Sequence, residues 1–288
     1  MVLDFYQHLP QHIDPVAFSI GSFAVRWYAI SYAAGFLVTY LVLSWRLKNG
    51  EFDETVQVAD KKNEFANSAL IVDFLLVAFF ATLVGGRLGF VLFYDFSSFI
   101  SNPLSIISPF VGGKLVGIYG MSYHGALIGV LIGSYFFTKF KKINFLGWAD
   151  FVIPAAPLGY FFGRIGNFLN GELYGRATES SLGMYFLTDQ VILRHPSQLY
   201  EAFLEGLVLF FVLWRIRKIK LVKGSFLFLY LIGYGTLRIL AEMFREPDPQ
   251  IGFVLSQFTL GQILSFTMIA GGVACYLIFY RYKLIGKR

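Results

Sequence analysis

The chain has 288 residues, of which 56% are apolar, 19% aromatic and only 15% charged. A water-soluble domain carries about 25% charged residues, so this chain lacks the polar surface to coat a globule, and its apolar residues run in long blocks. The net charge of +6 does not indicate a nucleic-acid binder, because lysine and arginine collect between the apolar blocks instead of forming one stripe.

In chain order, Met1 to Pro15 has no basic leader and carries Asp4 and Asp14, so the first apolar block is expected to stay in the mature protein. A membrane-spanning helix needs about 20 mostly apolar residues. Blocks of that kind run from Phe18 to Trp45, Asn67 to Tyr94, Val116 to Phe137, Leu146 to Asn170, Tyr200 to Trp214, Ser225 to Phe244 and Phe258 to Tyr280. The pattern predicts an all-α polytopic membrane protein with about seven transmembrane helices, a single integral membrane domain over residues 1–288.

Two segments between blocks, 95–115 and 171–198, are long enough to hold structure. The first, with Pro103, Pro109, Gly112 and Gly113, reads as a loop with room for a short interfacial helix. The second is polar and predicts a small cap. No internal repeat of the kind common in transporters is present, and there is no linker to a soluble domain. The lone Cys275 excludes an intrachain disulfide and a two-cysteine metal site, and its place in the last block reads as packing.

Basic residues orient the chain. One set of alternate loops with the C-terminal tail holds Arg46, Lys48, Lys61, Lys62, Lys139, Lys141, Lys142, Arg215, Arg217, Lys218, Lys220, Lys223, Arg281, Lys283, Lys287 and Arg288. The other set holds only Lys114, Arg176, Arg194 and Arg245. The positive-inside rule predicts the N-terminus outside and the C-terminus in the cytoplasm.

Ionisable residues inside spanning helices cost about 2.5 kcal/mol or more at the centre and are functional candidates by default. With ~1.5 Å of rise per residue, Arg164 falls roughly 24 Å above the cytoplasmic start of the fourth block, and Arg238 roughly 20 Å into the sixth. Arg87 in the second block, Tyr28 in the first and His124 in the third also fall in the outer half. Helices running in both directions thus bring polar residues to one level. Arg238, Glu242 and Arg245 follow i, i+4, i+7 on one predicted helix face, and Arg164 and Asn167 follow i, i+3 on another. Gly163, Gly166 and Gly175 leave room for a neighbouring helix or a ligand. Asn170-Gly171 is a helix-ending pair, which puts Glu172 at the outer rim.

Each residue also has a bland reading. Arg238 with Glu242 fits a structural ion pair. Arg87 fits a snorkelling cation, Tyr28 beside Trp27 an aromatic belt, and His124 a packing residue. Glu201 and Glu205 fit a helix start favoured by its dipole, and His195-Pro196 a cap with proline in the first turn. Convergence at one level favours a shared site. Arginines beside glutamate and asparagine in a lipid-accessible cavity suit an anionic phosphate, which guanidinium binds bidentately while staying charged.

The run Gly163-Arg164-Ile165-Gly166-Asn167-Phe168-Leu169-Asn170-Gly171-Glu172-Leu173-Tyr174-Gly175-Arg176 resembles the signature of the bacterial prolipoprotein diacylglyceryl transferases. So do His124-Gly125-Ala126-Leu127-Ile128-Gly129, Arg194-His195-Pro196-Ser197-Gln198-Leu199-Tyr200-Glu201, and Arg238 through Glu242 to Phe244-Arg245-Glu246-Pro247-Asp248. Arg26-Trp27-Tyr28 and Gly85-Gly86-Arg87-Leu88-Gly89 fit as well, in the family's order over nearly the whole chain. Ala126 departs from the pattern, replacing a usual glycine by another small residue.

The resemblance implies a transferase of the bacterial cytoplasmic membrane with seven helices and an outward-facing site. It would move the diacylglyceryl group of phosphatidylglycerol to the lipobox cysteine of a prolipoprotein signal peptide, releasing glycerol phosphate. It points to Arg164 and Arg238 as the phosphate clamp, as their depth does. Glu242 would orient Arg238. Asn167, Glu172, Gly175, Arg245 and Arg87 would shape the substrate site. His124 is the conventional base for the thiol, and Tyr28 a catalytic neighbour. An alternative role for His124, positioning Tyr28 or the lipid, stays open. No metal or cofactor is called for, and the expected partners are the two substrates and membrane lipids, with no nucleic acid. The rival reading is an anion or lipid transporter, which requires charges spread from face to face.

Overall fold

A computed structural model describes residues 2–21, 23–52, 64–94, 96–101, 103, 110–111, 114–115, 120–247, 252–254 and 257–285. The protein is mostly helical and polytopic. Among the described residues, five helices are long and apolar enough to cross a membrane: Trp27–Lys48, Ser68–Leu92, Phe145–Leu169, Ser225–Glu242 and Leu260–Arg281. A shorter apolar helix covers Gly125–Phe140. The expected span at 200–214 forms from three successive pieces: α8 (Ser197–Glu201), a π-helical run (Ala202–Val208) and α9 (Leu209–Ile216). Lys61, Lys62, Pro109, Gly112, Gly113, Val116, Asp248, Lys287 and Arg288 lie outside the described residues.

The chain divides into two compact units, 1–51 with 149–288, and 52–148. The first unit starts with α1 (Val2–His8), a 3₁₀ turn and the hairpin β1 (Val16–Ile20) with β2 (Phe23–Arg26). Helix α2 (Trp27–Lys48) follows and packs on α7 (Ala156–Leu169). Helix α10 (Ser225–Glu242) packs on α11 (Leu260–Ile285). Among the described residues, four two-stranded antiparallel hairpins lie between the helices, an element that the helical reading of the sequence did not include.

Local chemistry sets the helix ends. Pro154 removes a backbone donor inside the fourth apolar block, and the chain answers with a 3₁₀ turn at Ile153–Ala155 between α6 (Phe145–Val152) and α7. Helix α7 stops at Asn170, and Gly171 takes φ +67°, a conformation that glycine adopts without strain. The start of α10 is capped from elsewhere in the chain. The Asp150 carboxylate accepts from Gly224 N at 2.7 Å and Phe226 N at 2.9 Å, satisfying two otherwise orphaned N–H groups.

Above α7, segment 171–198 carries the hairpin β5 (Met184–Phe186) with β6 (Asp189–Arg194). Met184 and Phe186 are buried against Phe168, with Tyr6, Ile13, Tyr174 and Leu199 packed around them. This apolar plug fastens the loop to the end of α7. Pro196 itself takes the N-cap position of α8, one place earlier in the helix than the sequence suggests.

The second unit contains α3 (Glu64–Tyr94), α4 (Phe96–Ser101), the short hairpin β3 (Phe110–Val111) with β4 (Lys114–Leu115), and α5 (Tyr123–Phe140). Helices α3 and α5 meet backbone to backbone through glycine. A Cβ on Gly89 would come within 2.6 Å of Gly125 Cα, and one on Gly129 within 2.9 Å of Gly85 Cα. Ser122 opens α5, its Oγ accepting from Gly125 N at 3.3 Å. Phe74 lies edge-on to Phe137 and to Trp148, with ring centroids 5.4 and 5.2 Å apart.

Candidate active site

Within the first unit, two helices and the turn after the second bring their charges to one buried carboxylate, Glu201, whose side chain is fully enclosed at the end of α8. Its Oε2 receives Arg164 Nη2 from α7 at 2.9 Å and Arg238 Nη1 from α10 at 2.6 Å. Tyr160 donates to the same oxygen at 3.1 Å. On the other side, Oε1 receives Arg245 Nη1 at 3.1 Å. The three guanidinium groups therefore share one anchor.

Further partners fix the two membrane arginines. Arg164 Nε donates to Tyr160 Oη at 2.9 Å, and its guanidinium lies 4.9 Å from the centre of that ring. Arg164 Nη1 donates to Asn167 Oδ1 at 3.3 Å, and Asn167 Nδ2 donates to Glu172 Oε1 at 2.8 Å. Arg238 Nη2 pairs with Glu242 Oε2 at 2.6 Å, one helical turn on. Glu242 Oε1 accepts from Thr259 Oγ1 at 2.9 Å. Every arginine of the cluster is 12–13% exposed while Glu201 is sealed. The carboxylates thus orient the cations.

Helix α10 ends at Glu242, so Arg245 does not continue the face of Arg238 and Glu242 as an i+7 residue of the same helix. It reaches Glu201 from the following turn, which is pinned to Gly175 by an isolated bridge. Gly175 N donates to His195 O at 2.8 Å and Arg176 N to Phe244 O at 2.9 Å. A Cβ on Gly175 would overlap Phe244 O. Buried Gln198 holds the same loop, its Nε2 donating to Glu172 O at 2.7 Å, and Ser197 Oγ donates to Leu173 O at 3.1 Å. The Pro-Ser-Gln segment therefore shapes the strip that carries Glu172 and Gly175.

The three glycines singled out from the sequence have different surroundings. A Cβ on Gly166 would come 3.1 Å from Ser31 Cβ and 3.2 Å from Tyr28 Cδ2, so this glycine brings Tyr28 against α7. Tyr28 Oη is 2.9 Å from Tyr32 Oη, and Asn167 and Glu172 are also within its electrostatic reach. Gly163 has no described atom within 4 Å of a built Cβ, so it faces open space.

Arg87 and His124 belong to the second unit. Arg87 on α3 donates from Nη1 to Gly120 O at 3.3 Å, and its guanidinium lies 5.7 Å from the Phe90 ring centre. His124 stands in the first turn of α5, next to the glycine that touches α3; its side chain lies outside the described residues.

The family model described as "Prolipoprotein diacylglyceryl transferase" matches residues 15–278. The chain belongs to that family. It is 49% identical over 275 residues to the phosphatidylglycerol–prolipoprotein diacylglyceryl transferase of Chlorobaculum tepidum, covering 93% of this chain and 90% of that one. The corresponding protein of Rickettsia felis is 46% identical over 270 residues, covering 93% and 96%, and that of Rickettsia bellii 43%, covering 93% and 95%.

Within this diacylglyceryl transferase relative, the residue that sequence reasoning undervalued is Glu201, which reads there as a helix-start acid. Two signals pointed to it. A carboxylate within an apolar block needs a buried partner, and two arginines at a similar depth need a counter-ion. Tyr160 and Thr259 gave no comparable signal, because tyrosine and threonine are ordinary residues in membrane helices.

Proposed function

We propose that the chain transfers the diacylglyceryl group of phosphatidylglycerol to the cysteine thiol in the lipobox of a prolipoprotein signal peptide, the first step of bacterial lipoprotein maturation. The observation that carries this reading is the set of three arginines anchored on Glu201, each with 12–13% of its side chain exposed. Family membership and the printed names of the relatives support the substrates. The protein acts in the bacterial inner membrane with about seven spanning helices, its N-terminus and its site on the outer side. The loop charges support that orientation.

In the reaction a sulfur–carbon bond forms at the glyceryl carbon and the carbon–oxygen bond to phosphate breaks. The thiol proton ends on the released glycerol phosphate, directly or through a base. Arg164 and Arg238 clamp the phosphate and take up the charge that grows on the departing oxygen. Arg245 contributes through the same anchor, and Arg87 faces lipid headgroups. Asn167, Glu172 and Gly175 form the wall beside the headgroup, and Glu242 aims Arg238. Tyr28 borders the reacting groups, and His124 takes the thiol proton or positions the lipid.

The deciding experiment incubates detergent-purified protein with phosphatidylglycerol and a lipobox peptide and weighs the product. A mass gain of one diacylglyceryl group is expected, lost with a Cys→Ala peptide or with Arg164→Ala protein. A folded, lipid-binding protein that leaves the peptide unmodified sinks this reading and returns lipid or anion transport to first place.

A further inference from the structure

One titratable group of the cluster takes no part in the clamp. Glu205 lies in the π-helical run Ala202–Val208, and its side chain is fully buried. Neither of its oxygens has a well-aligned hydrogen-bond donor among the described residues, and the Tyr160 hydroxyl is the one such group that interacts with it. The closest cation, Arg238 Nη1, stands 3.6 Å from Oε1 and is already committed to Glu201 at 2.6 Å. The other charged or titratable groups facing it are Glu201, Arg164 and Tyr160. Tyr160 gives its hydroxyl proton to Glu201.

An ionised carboxylate buried at membrane depth with no cation of its own is among the costliest arrangements that a protein can hold. Glu201 sits four residues earlier, and two anions so placed repel. Glu201 has three arginine partners and a tyrosine, so Glu201 is the member that keeps the charge. With Glu201, Glu205 and Glu242 all ionised, they cancel Arg164, Arg238 and Arg245, and a phosphodiester would enter a neutral site. Glu172 stands exposed at the rim and is solvated separately.

We propose that Glu205 is a positioning residue that carries a proton at neutral pH, which leaves the arginine cluster one net positive charge to match the single negative charge of a phospholipid phosphodiester. Glu205 supports Arg238 as a neutral wall, and the π-helical turn, a feature frequent at functional sites, places it behind that guanidinium. This inference rests on the function proposed above for its substrate, while the charge of Glu205 can be measured without turnover.

Infrared difference spectra of the full-length protein in detergent, wild type minus Glu205→Gln, test the proton. The carbonyl band of a protonated carboxylic acid, present at neutral pH in the wild type and missing from the variant, is expected. Its absence from folded wild-type protein overturns the proposal. In kinetics, Glu205→Ala is expected to raise KM for phosphatidylglycerol about tenfold with little change in kcat, and the neutral isostere Glu205→Gln to bring KM back to within about threefold of wild type. A folded Gln variant as impaired as Ala shows that the anion is required and overturns the proposal. If no variant modifies the peptide, the proposed function fails, and the infrared band still decides the charge of Glu205.

Discussion

Glu201 links Arg164, Arg238 and Arg245, so its replacement leaves three partly buried cations without a shared counter-ion. Removing one partner of a buried pair costs about 3–5 kcal/mol. Glu201→Gln should therefore lower thermal stability in detergent by an amount near that range and reduce kcat/KM at least about a hundredfold. Unchanged kcat/KM would show that the arginines need no common anchor. Gly163 gives the opposite test. Its built Cβ meets no described atom, so Gly163→Ala should leave folding intact or stabilise α7 by about 0.5–1 kcal/mol. A loss of turnover in that stable variant would mark the open space beside Gly163 as occupied by substrate. The thiol that reacts comes from the peptide, so Cys275→Ala should retain turnover in the peptide-mass assay.

Between elements, two devices bind helices at their ends and their middles. At the end of α2, Glu51 receives Arg46 Nε at 2.9 Å and Arg217 Nε at 3.1 Å. The Arg217 guanidinium also lies 3.7 Å from the Trp214 ring centre. Burial pushes the Glu51 carboxyl up, but the hydrogen bonds and charges of Arg46 and Arg217 outweigh it and hold it below its ordinary value. Stability from this tie is therefore fully present above the unfolded carboxylate value of about 4.3 and is lost as pH falls through the lower folded one. Melting curves from pH 7 to pH 3 should converge for wild type and Glu51→Gln at the acid end. A constant gap between them would show that Glu51 does not titrate with folding. In α3 and α5 the contact is made by absent side chains, since a Cβ on Gly125 would lie 2.8 Å from Gly89 Cα. Gly125→Val should destabilise the protein by about 1–3 kcal/mol or more through overpacking, seen as a lower melting temperature.

Across the whole molecule, the loop charges predict a topology that labelling can check. In a Cys275→Ala background, Thr178→Cys should react with a membrane-impermeant maleimide in intact cells, and Lys220→Cys only after lysis. The reverse pattern would invert the proposed orientation and put the site on the cytoplasmic side. The apolar blocks were legible from the order of residues, because hydrocarbon length and helical rise constrain them directly. The hairpins were not. Strands such as Met184–Phe186 and Asp189–Arg194 are short, and the first is buried against Phe168, which lies on another element. The role of Glu201 and the isolation of Glu205 were hidden for a related reason. Sequence gives the helix on which a charge sits and its depth, but the partner of a buried charge comes from other helices, distant in the chain. The sequence by itself determined the membrane class, the family and the residues available for a phosphate site. Only tertiary packing decided which carboxylate anchors the arginines and which lies beside them without a cation of its own, because a buried charge is defined by the neighbours that enclose it.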